Sequence, residues 1–190
     1  MRAGMLVVLL GAMLACTGNM TGGKPAVTQG TGEVGRNESS GNVSLTQIEQ
    51  DFMRILRADP RQKRTRLTLN PVLQRVARER AKDMAQRNYF SHTNPDGDGP
   101  NILLKRAGYR LPSWWGTARN ANNIESISGG RSTARAAYDG WMNSPGHKKH
   151  VLAEIGFYAG QTVVAIGHYY DARSTYRHYW VFLSAPPEGD

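Results

Sequence analysis

The stretch at residues 137–152, AYDGWMNSPGHKKHVL, constrains the fold of this chain more than any other. Its pattern predicts the end of an amphipathic helix, a tight turn and the start of a second short helix. In the turn, Ser144-Pro145-Gly146, proline presets φ and glycine tolerates positive φ, so the chain can reverse at little strain. His147 follows directly, and we expect the backbone to fix its orientation. A histidine that merely fills a core is the alternative interpretation.

The N-terminal sequence MRAGMLVVLLGAMLAC predicts export. Arg2 precedes an apolar run at residues 5–14 that is too short to span a bilayer, which is typical of a signal peptide over residues 1–15. Ala15 and Cys16 resemble a bacterial lipobox, so we expect a lipid-bearing Cys16 that anchors the protein to a membrane of the cell envelope. Ordinary secretion with a free thiol is the alternative. Because Cys16 is the only cysteine, an intrachain disulfide framework is excluded.

Two further segments follow the signal sequence. Residues 16–43 are rich in Gly, Thr, Ser and Asn and carry few apolar side chains, so they predict a flexible tether. Residues 44–187 are long enough for one domain with its own core. The chain is therefore predicted to be a single extracytoplasmic domain on a tether.

The positive charge of the chain, formally +9, is concentrated in one region. Residues 54–87 hold eleven Lys and Arg against three acidic residues. This region suits an anionic partner such as lipid headgroups, lipopolysaccharide or an anionic wall polymer. A solvated helix face that aids solubility is the alternative. Nucleic acid is not expected as a partner, because the protein is exported and no recognition motif accompanies the charges.

Four helices are indicated by capping and spacing signals. A capping box at Ser44–Gln47 begins a helix that runs to about Arg57. Asn70 caps a second helix, with proline at its first position, that runs to about Arg87. The remaining two are predicted from Pro100 to a C-terminal Gly108 and from a Thr133 cap through Trp141.

The sequence predicts strands in the last part of the domain. Residues 155–159 and 162–170 flank Gly160-Gln161, which predicts a hairpin, and residues 178–184 form a final strand. His168 and His178 are interpreted as sheet residues without chemistry. Helices before and between strands indicate an α+β fold.

Two motifs resemble a known family. The sequence YFSHTNPDG at residues 89–97 and WMNSPGH at residues 141–147 are similar to the YFSH-x-x-PDG and W-x-x-SPGH patterns of bacterial members of the CAP superfamily, the SCP-like domains. The resemblance covers roughly residues 45–185. It implies a three-layer α-β-α sandwich with a central, mainly antiparallel sheet and a cleft that holds His92 and His147. Trp114 and Trp115 are expected in the core or as a lid over it.

The main departure of the chain from the family pattern lies at residues 122–125. Asn122-Asn123-Ile124-Glu125 stands in the region where the family usually has Gly-Glu-Asn-Ile. Counting back without gaps from the helix predicted after Thr133 puts Asn122 at the usual glutamate position. Either the carboxylate has moved to Glu125 through a different local turn, or Asn122 has replaced it outright, with loss of charge and general-base capacity. A solvated acid at a strand end is the third interpretation of Glu125. His150 stands where the bacterial pattern has Asn.

These residues predict a binding cleft. The expected lining residues are His92, Asn122, Asn123, Glu125, Ser144 and His147. Our leading expectation is a membrane-anchored binding module for a small apolar or amphipathic ligand, or for a cell-envelope component. The alternative is a zinc-dependent hydrolase of peptide or ester bonds, in which His92 and His147 bind the metal and Glu125 acts as base. A purely structural envelope protein is a third possibility.

Overall fold

The computed structural model of the protein describes residues 43–189. The predicted signal peptide, the lipidation of Cys16 and nearly all of the tether lie outside the described residues. Within the described part, six helices and four strands follow one another along the chain, with a short 3₁₀ turn at Ser113–Trp115. No helix in this part is long and apolar enough to cross a membrane.

The first three helices begin at the predicted residues or within about two residues of them. Helix α1 is Gln47–Ala58, α2 is Pro71–Gln86 and α3 is Pro100–Arg106. The Asn70 side chain caps α2 by accepting from two backbone N–H groups, as predicted. Gly108 follows α3 with φ +98°, a left-handed conformation that favours glycine.

The capping box of α1 was predicted two residues too early. The Thr46 backbone N–H donates to the Glu49 carboxylate, so the box is Thr46–Glu49 and not Ser44–Gln47. The helix begins later because a tertiary contact holds Glu49: Arg78 on α2 donates to the Glu49 carboxylate at 2.9 and 2.5 Å. This contact between helices fixes which turn of α1 comes first.

A four-stranded sheet forms the centre of the domain, in the order β1-β3-β4-β2. The short β1, Thr68–Leu69, pairs parallel with β3, Val163–Tyr170. Strand β4, His178–Ala185, lies antiparallel to β3 on one side and to β2, Glu125–Gly129, on the other. The prediction of a central, mainly antiparallel sheet is therefore confirmed.

The two faces of the sheet bury separate hydrophobic cores. Alternate residues of β4 point to opposite faces: Tyr179, Val181 and Leu183 join a core with α2 and α3, whereas Trp180 and Phe182 join a core with α1, α4 and α5. Helix α4 is Ala134–Met142 and α5 is Pro145–Val151. The predicted three-layer α-β-α sandwich is the architecture observed.

Close packing of α2 on β3 depends on a glycine. A Cβ added at Gly167 would lie 2.3 Å from the Ala77 backbone carbon, which is too close for any other residue. This contact brings the middle of α2 directly over the sheet, and α2 carries a side chain that reaches the cleft described below.

Two local predictions around the cleft were wrong. Pro145 is the first residue of α5, with Ser144 as its N-cap, so His147 lies within the helix and not after a reverse turn. Residues 155–159 are not a strand, because Gly156–Ala159 form a short helix, α6, and the Gly160-Gln161 hairpin does not exist. Ring contacts of Phe157 and Tyr158 with neighbouring aromatic side chains hold α6 against the domain.

Candidate functional site

A polar cleft of about 220 Å³ lies between β2, α5, α6 and the loop after α2. It brings together five of the six predicted lining residues, together with five others: His92, Asn122, Ile124, Glu125, Ser126, Ser144, Gly146, His147, His150 and Tyr158. We call His92 and His147 the cleft histidines. Asn123 is the exception, because its side chain and backbone exchange hydrogen bonds with Asn101 on α3, at 2.6 and 3.0 Å, away from the cleft.

The Glu125 side chain is fully buried, and both oxygens of its carboxylate face hydrogen-bonding partners. Arg80 donates from Nε to Oε2 at 2.9 Å and from Nη2 to Oε1 at 3.3 Å. His92 Nδ1 lies 2.9 Å from Oε1. The interpretation of Glu125 as a solvated acid is therefore wrong. The same contacts fit a group that orients His92 better than a general base, since both oxygens are already occupied.

Like the five unpredicted lining residues, Arg80 was not predicted from the sequence, and it supports the cleft from α2 through Glu125 without lining it. Only 2 % of its surface is exposed, and it also donates to the Tyr89 hydroxyl at 2.6 Å and to the carbonyls of Ser91 and His92 at 3.0 Å. It thus holds both the carboxylate and the loop that carries His92. A signal was present in the helical spacing: Arg80 falls four residues after the inner-face Val76, and a buried arginine requires a partner.

The turn before Glu125 is built by Asn122. Its Oδ1 accepts from the backbone N–H groups of Ile124 and Glu125, at 3.2 and 2.9 Å, and its Nδ2 donates to the Glu125 carbonyl at 3.1 Å. This is an Asx-type turn. Of the two interpretations of the departure from the family pattern, the structure shows the first: the carboxylate reaches His92 from Glu125, through a turn that Asn122 stabilises.

These contacts determine the tautomer of His92. A carboxylate only accepts hydrogen bonds, so His92 Nδ1 carries the proton toward Glu125. When the imidazole is neutral, Nε2 is left as an acceptor, and His92 lies on the lining of the cleft. A hydrogen bond of this kind is also how proteins fix histidines that bind ligands or metals.

The second cleft histidine is held locally by the cap of α5. His147 Nδ1 lies 2.9 Å from Ser144 Oγ, three residues earlier. Partial burial lowers the pKa of His147 below its usual value, and a positive charge on His92 acts in the same direction. At neutral pH the cleft therefore holds a neutral His147, whose remaining nitrogen is available to a ligand.

At the inner wall of the cleft, His150 takes part in a buried chain of hydrogen bonds whose donors and acceptors can be assigned. The Ser184 hydroxyl has one proton, which it donates to Gln161 Oε1 at 2.6 Å, so His150 Nε2 must donate to Ser184 Oγ at 2.8 Å. His150 Nδ1 then accepts from Ser126 Oγ at 2.7 Å. Burial and the nearby Arg64 guanidinium hold the pKa of His150 well below its usual value. Because this environment opposes an imidazolium, the Ser126–His150 pair is suited to support the cleft wall and not to activate a nucleophile.

The cleft does not provide a three-ligand zinc site. Zinc in a catalytic site is held by three protein ligands, and the two cleft histidines supply only two while Glu125 is occupied by Arg80. Among residues 43–189, no group of three or more His, Cys, Asp and Glu side chains is arranged to hold a metal ion. No step of chemistry is therefore derived through zinc.

Neither tryptophan of the 3₁₀ turn lines the cleft. Trp115 packs partly buried against the core, as expected, but Trp114 is 74 % exposed, so the expectation of a core position is wrong for Trp114. His168 and His178 lie on β3 and β4, where they were expected, and form a 3.1 Å contact with each other outside the cleft.

The fold and the two-histidine cleft define an SCP-like domain. The family model of the cysteine-rich secretory protein family, CAP, matches residues 51–184, which is more than half of the 190 residues, and the chain belongs to this family. A similar curated protein is the uncharacterized protein YkwD of Bacillus subtilis (strain 168), 28% identical over 123 residues. This match covers 64% of the chain but 44% of YkwD, so the chain spans less than half of that relative.

Two solved structures share the fold. An extracellular protein containing an SCP domain from Bacillus anthracis str. Ames superposes with a TM-score of 0.55 at 24% identity, covering 78% of this chain and 45% of that one. An outer surface protein from Borrelia burgdorferi superposes with a TM-score of 0.51 at 17% identity, covering 73% and 91% of the two chains. These likenesses support the α+β sandwich of the CAP fold.

Proposed function

We propose that the protein is an extracytoplasmic binding module whose cleft holds a polar group of a cell-envelope component. The observation that carries this proposal is the arrangement of the cleft histidines. His92 is fixed by a buried carboxylate and His147 by the Ser144 hydroxyl, so each is held by one ring nitrogen while the other is left for a ligand. Preorganised groups of this kind bind without a large ordering cost.

The size and chemistry of the cleft favour a polar ligand over an apolar one. Sites for drug-sized molecules usually occupy roughly 300–1,000 Å³ and are lined mainly by apolar side chains. This cleft has about 220 Å³, and most of its lining side chains are histidine, serine, asparagine or glutamate. Of the ligands expected from the sequence, an envelope component that inserts a hydroxyl, amide or carboxylate therefore fits better than an apolar or amphipathic molecule.

A location outside the cytoplasm completes the proposal. The predicted signal sequence, the lipobox-like Cys16 and the predicted tether after it support a membrane-anchored protein of the envelope. The two solved structures that share the fold are of an extracellular protein and an outer surface protein, which agrees with such a location.

An anionic partner for the basic region has weaker support. Of the eleven basic residues at 54–87, six form ion pairs within the domain and Arg64 is buried against carbonyl groups. Four others are exposed and have no ion pair within the described part of the chain: Arg57, Lys63, Arg66 and Lys82. Attraction to anionic lipid or wall polymer would rest on these four and would weaken with salt.

Calorimetric titration of the full chain with N-acetylmuramyl dipeptide tests the cleft directly. This probe is a soluble envelope fragment that carries hydroxyl, amide and carboxylate groups. We expect binding that weakens at least tenfold in His92→Ala and His147→Ala and is unchanged in His178→Ala, a matched control outside the cleft. Absence of binding, or an equal loss in His178→Ala, would contradict the proposal.

The hydrolase remains a second candidate because of one observation. A histidine whose Nδ1 donates to a buried carboxylate is the arrangement that orients general bases in many hydrolases. Its test is hydrolysis of p-nitrophenyl acetate and of a fluorogenic peptide, with and without zinc. We expect no turnover above the His147→Ala background, since residues 43–189 offer no third metal ligand and the environment of the Ser126–His150 pair opposes the imidazolium that an activated serine would need. Zinc-dependent turnover that His147→Ala abolishes would make the protein an enzyme.

A further inference from the structure

Three aromatic rings cluster beside the cleft, and we call them the aromatic ledge: the exposed Trp114 and the partly buried Trp115 and Phe157. The ring centres of Trp114 and Trp115 are 5.8 Å apart, and Phe157 lies 6.4 Å from Trp114 and 5.3 Å from Trp115. Trp114 is the most exposed large hydrophobic residue of the described chain, at 74 %. An indole this exposed gains little from folding, which is typical of an interaction site.

The ledge borders a groove of about 310 Å³ that also includes Pro112, Gly156, Gly160, Gln161 and Pro186. Only the four residues of α6 separate this groove from the cleft. Phe157 lines the groove, Tyr158 lines the cleft, and their rings are 5.1 Å apart. A single extended ligand can therefore reach both surfaces by crossing α6.

The chemistry of the groove selects among possible ligands. None of its lining side chains is charged, so it offers nothing to the headgroups of an anionic lipid surface. Its aromatic faces carry partial negative charge and suit the weakly positive C–H groups on one face of a sugar ring.

We propose that the aromatic ledge is a sugar-binding subsite that stacks a pyranose ring of a neutral glycan on Trp114. The same glycan chain would extend across α6 and place a polar substituent in the cleft. The inference rests on the proposed function, because it names the class of envelope component that the cleft would bind. A sugar combines an apolar ring face with a belt of hydroxyl groups, which matches an aromatic groove next to a polar cleft.

Intrinsic tryptophan fluorescence tests the subsite with little interference. Of the four tryptophans, Trp141 and Trp180 are buried and form hydrogen bonds within the domain, so changes in emission report on the ledge. The probe is the β-1,4-linked tetrasaccharide of N-acetylglucosamine, added to the full chain. We expect a shift of the emission to shorter wavelength, and at least tenfold weaker binding by calorimetry in Trp114→Ala, which should fold normally because the side chain is exposed.

Tyr170→Ala is the matched control. Tyr170 is also an exposed aromatic residue, at 53 %. It lies at the far end of β3, about 23 Å along the strand from Val163, the first strand residue after the groove residue Gln161. This variant should bind the tetrasaccharide like the unaltered chain. Equal binding by Trp114→Ala and the unaltered chain would overturn the proposal. So would an emission shift with phosphatidylcholine vesicles and none with the saccharide, which would make the ledge a membrane contact.

The two proposals fail in different ways. Tetrasaccharide binding that depends on Trp114 but not on His147, together with no binding of N-acetylmuramyl dipeptide, would keep the subsite and refute the function proposed for the cleft. Dipeptide binding that depends on His147, without any response to the tetrasaccharide, would keep that function and refute the subsite.

Discussion

Replacing Arg80 by methionine should destabilise the domain severely. Arg80 is the partner of a fully buried carboxylate, and its removal leaves Glu125 without its charged donor. Breaking a buried ion pair from one side typically costs about 3–5 kcal/mol, because an uncompensated charge stays in the interior. The hydrogen bonds from Arg80 to Tyr89 and to the two carbonyls of the His92 loop are lost as well, so we expect a value toward the upper end.

Urea unfolding followed by circular dichroism measures this cost, and Arg75→Met is the matched control. Arg75 lies on the same helix and pairs with Glu79, but both side chains are more than half exposed, at 52% and 60%. An exposed pair of this kind contributes about 0.2–1 kcal/mol, so the control should change the free energy of unfolding by no more than that.

The double variant Arg80→Met/Glu125→Met distinguishes a buried pair from simple loss of packing. Because it removes the stranded charge together with its partner, its unfolding free energy should recover by at least about 2 kcal/mol relative to the sum of the single variants. A loss below about 1 kcal/mol in Arg80→Met, or strictly additive single variants, would refute the reasoning that this pair organises the site.

Three further outcomes are expected. Zinc calorimetry should show no binding of micromolar or higher affinity, because the cleft histidines lack a third ligand; such binding, lost in either histidine variant, would contradict this. The pKa values of His150 and His168 are lowered, that of His168 to about 4, so the unfolded chain takes up protons first as the pH falls. Stability should therefore fall as the pH drops below about 6.5, by up to about 1.4 kcal/mol per pH unit for the buried His150 and by less for the partly exposed His168, whose charge solvent screens. Urea unfolding of His168→Gln should show a shallower fall, and an identical pH profile would exclude this linkage. Gly167→Ala should lower the melting temperature strongly, because its Cβ would overlap the Ala77 backbone, whereas Gly156→Ala meets open space and should change it little.

The layered fold was predictable because its signals are local or periodic. The Asn70 cap, the left-handed Gly108 and the alternation of residues along β4 each express a rule that acts within a few residues. The family motifs around His92 and His147 then placed two histidines in one cleft, and both line it.

The parts that sequence reasoning missed depend on contacts between distant segments. Arg80 and Glu125 are 45 positions apart, and nothing near either residue indicates that they pair. The α6 segment was predicted as a strand, because the periodicity of so short an apolar run does not distinguish a strand from a helix. Its helical form depends on ring contacts with Trp115 and His150. Trp114 is likewise exposed because of the path that its loop takes, and hydrophobicity alone does not predict that path.

The most direct test of the cleft is an NMR measurement of the histidine side chains. Long-range ¹H–¹⁵N spectra distinguish the two tautomers of each imidazole and report ligand contact at each ring nitrogen. We expect neutral His92 to carry its proton on Nδ1, facing Glu125, and we expect its Nε2 signal and that of His147 to move when N-acetylmuramyl dipeptide is added, while His168 and His178 stay unchanged. A His92 protonated on Nε2, or cleft histidines that do not respond to the ligand, would contradict a preorganised binding cleft.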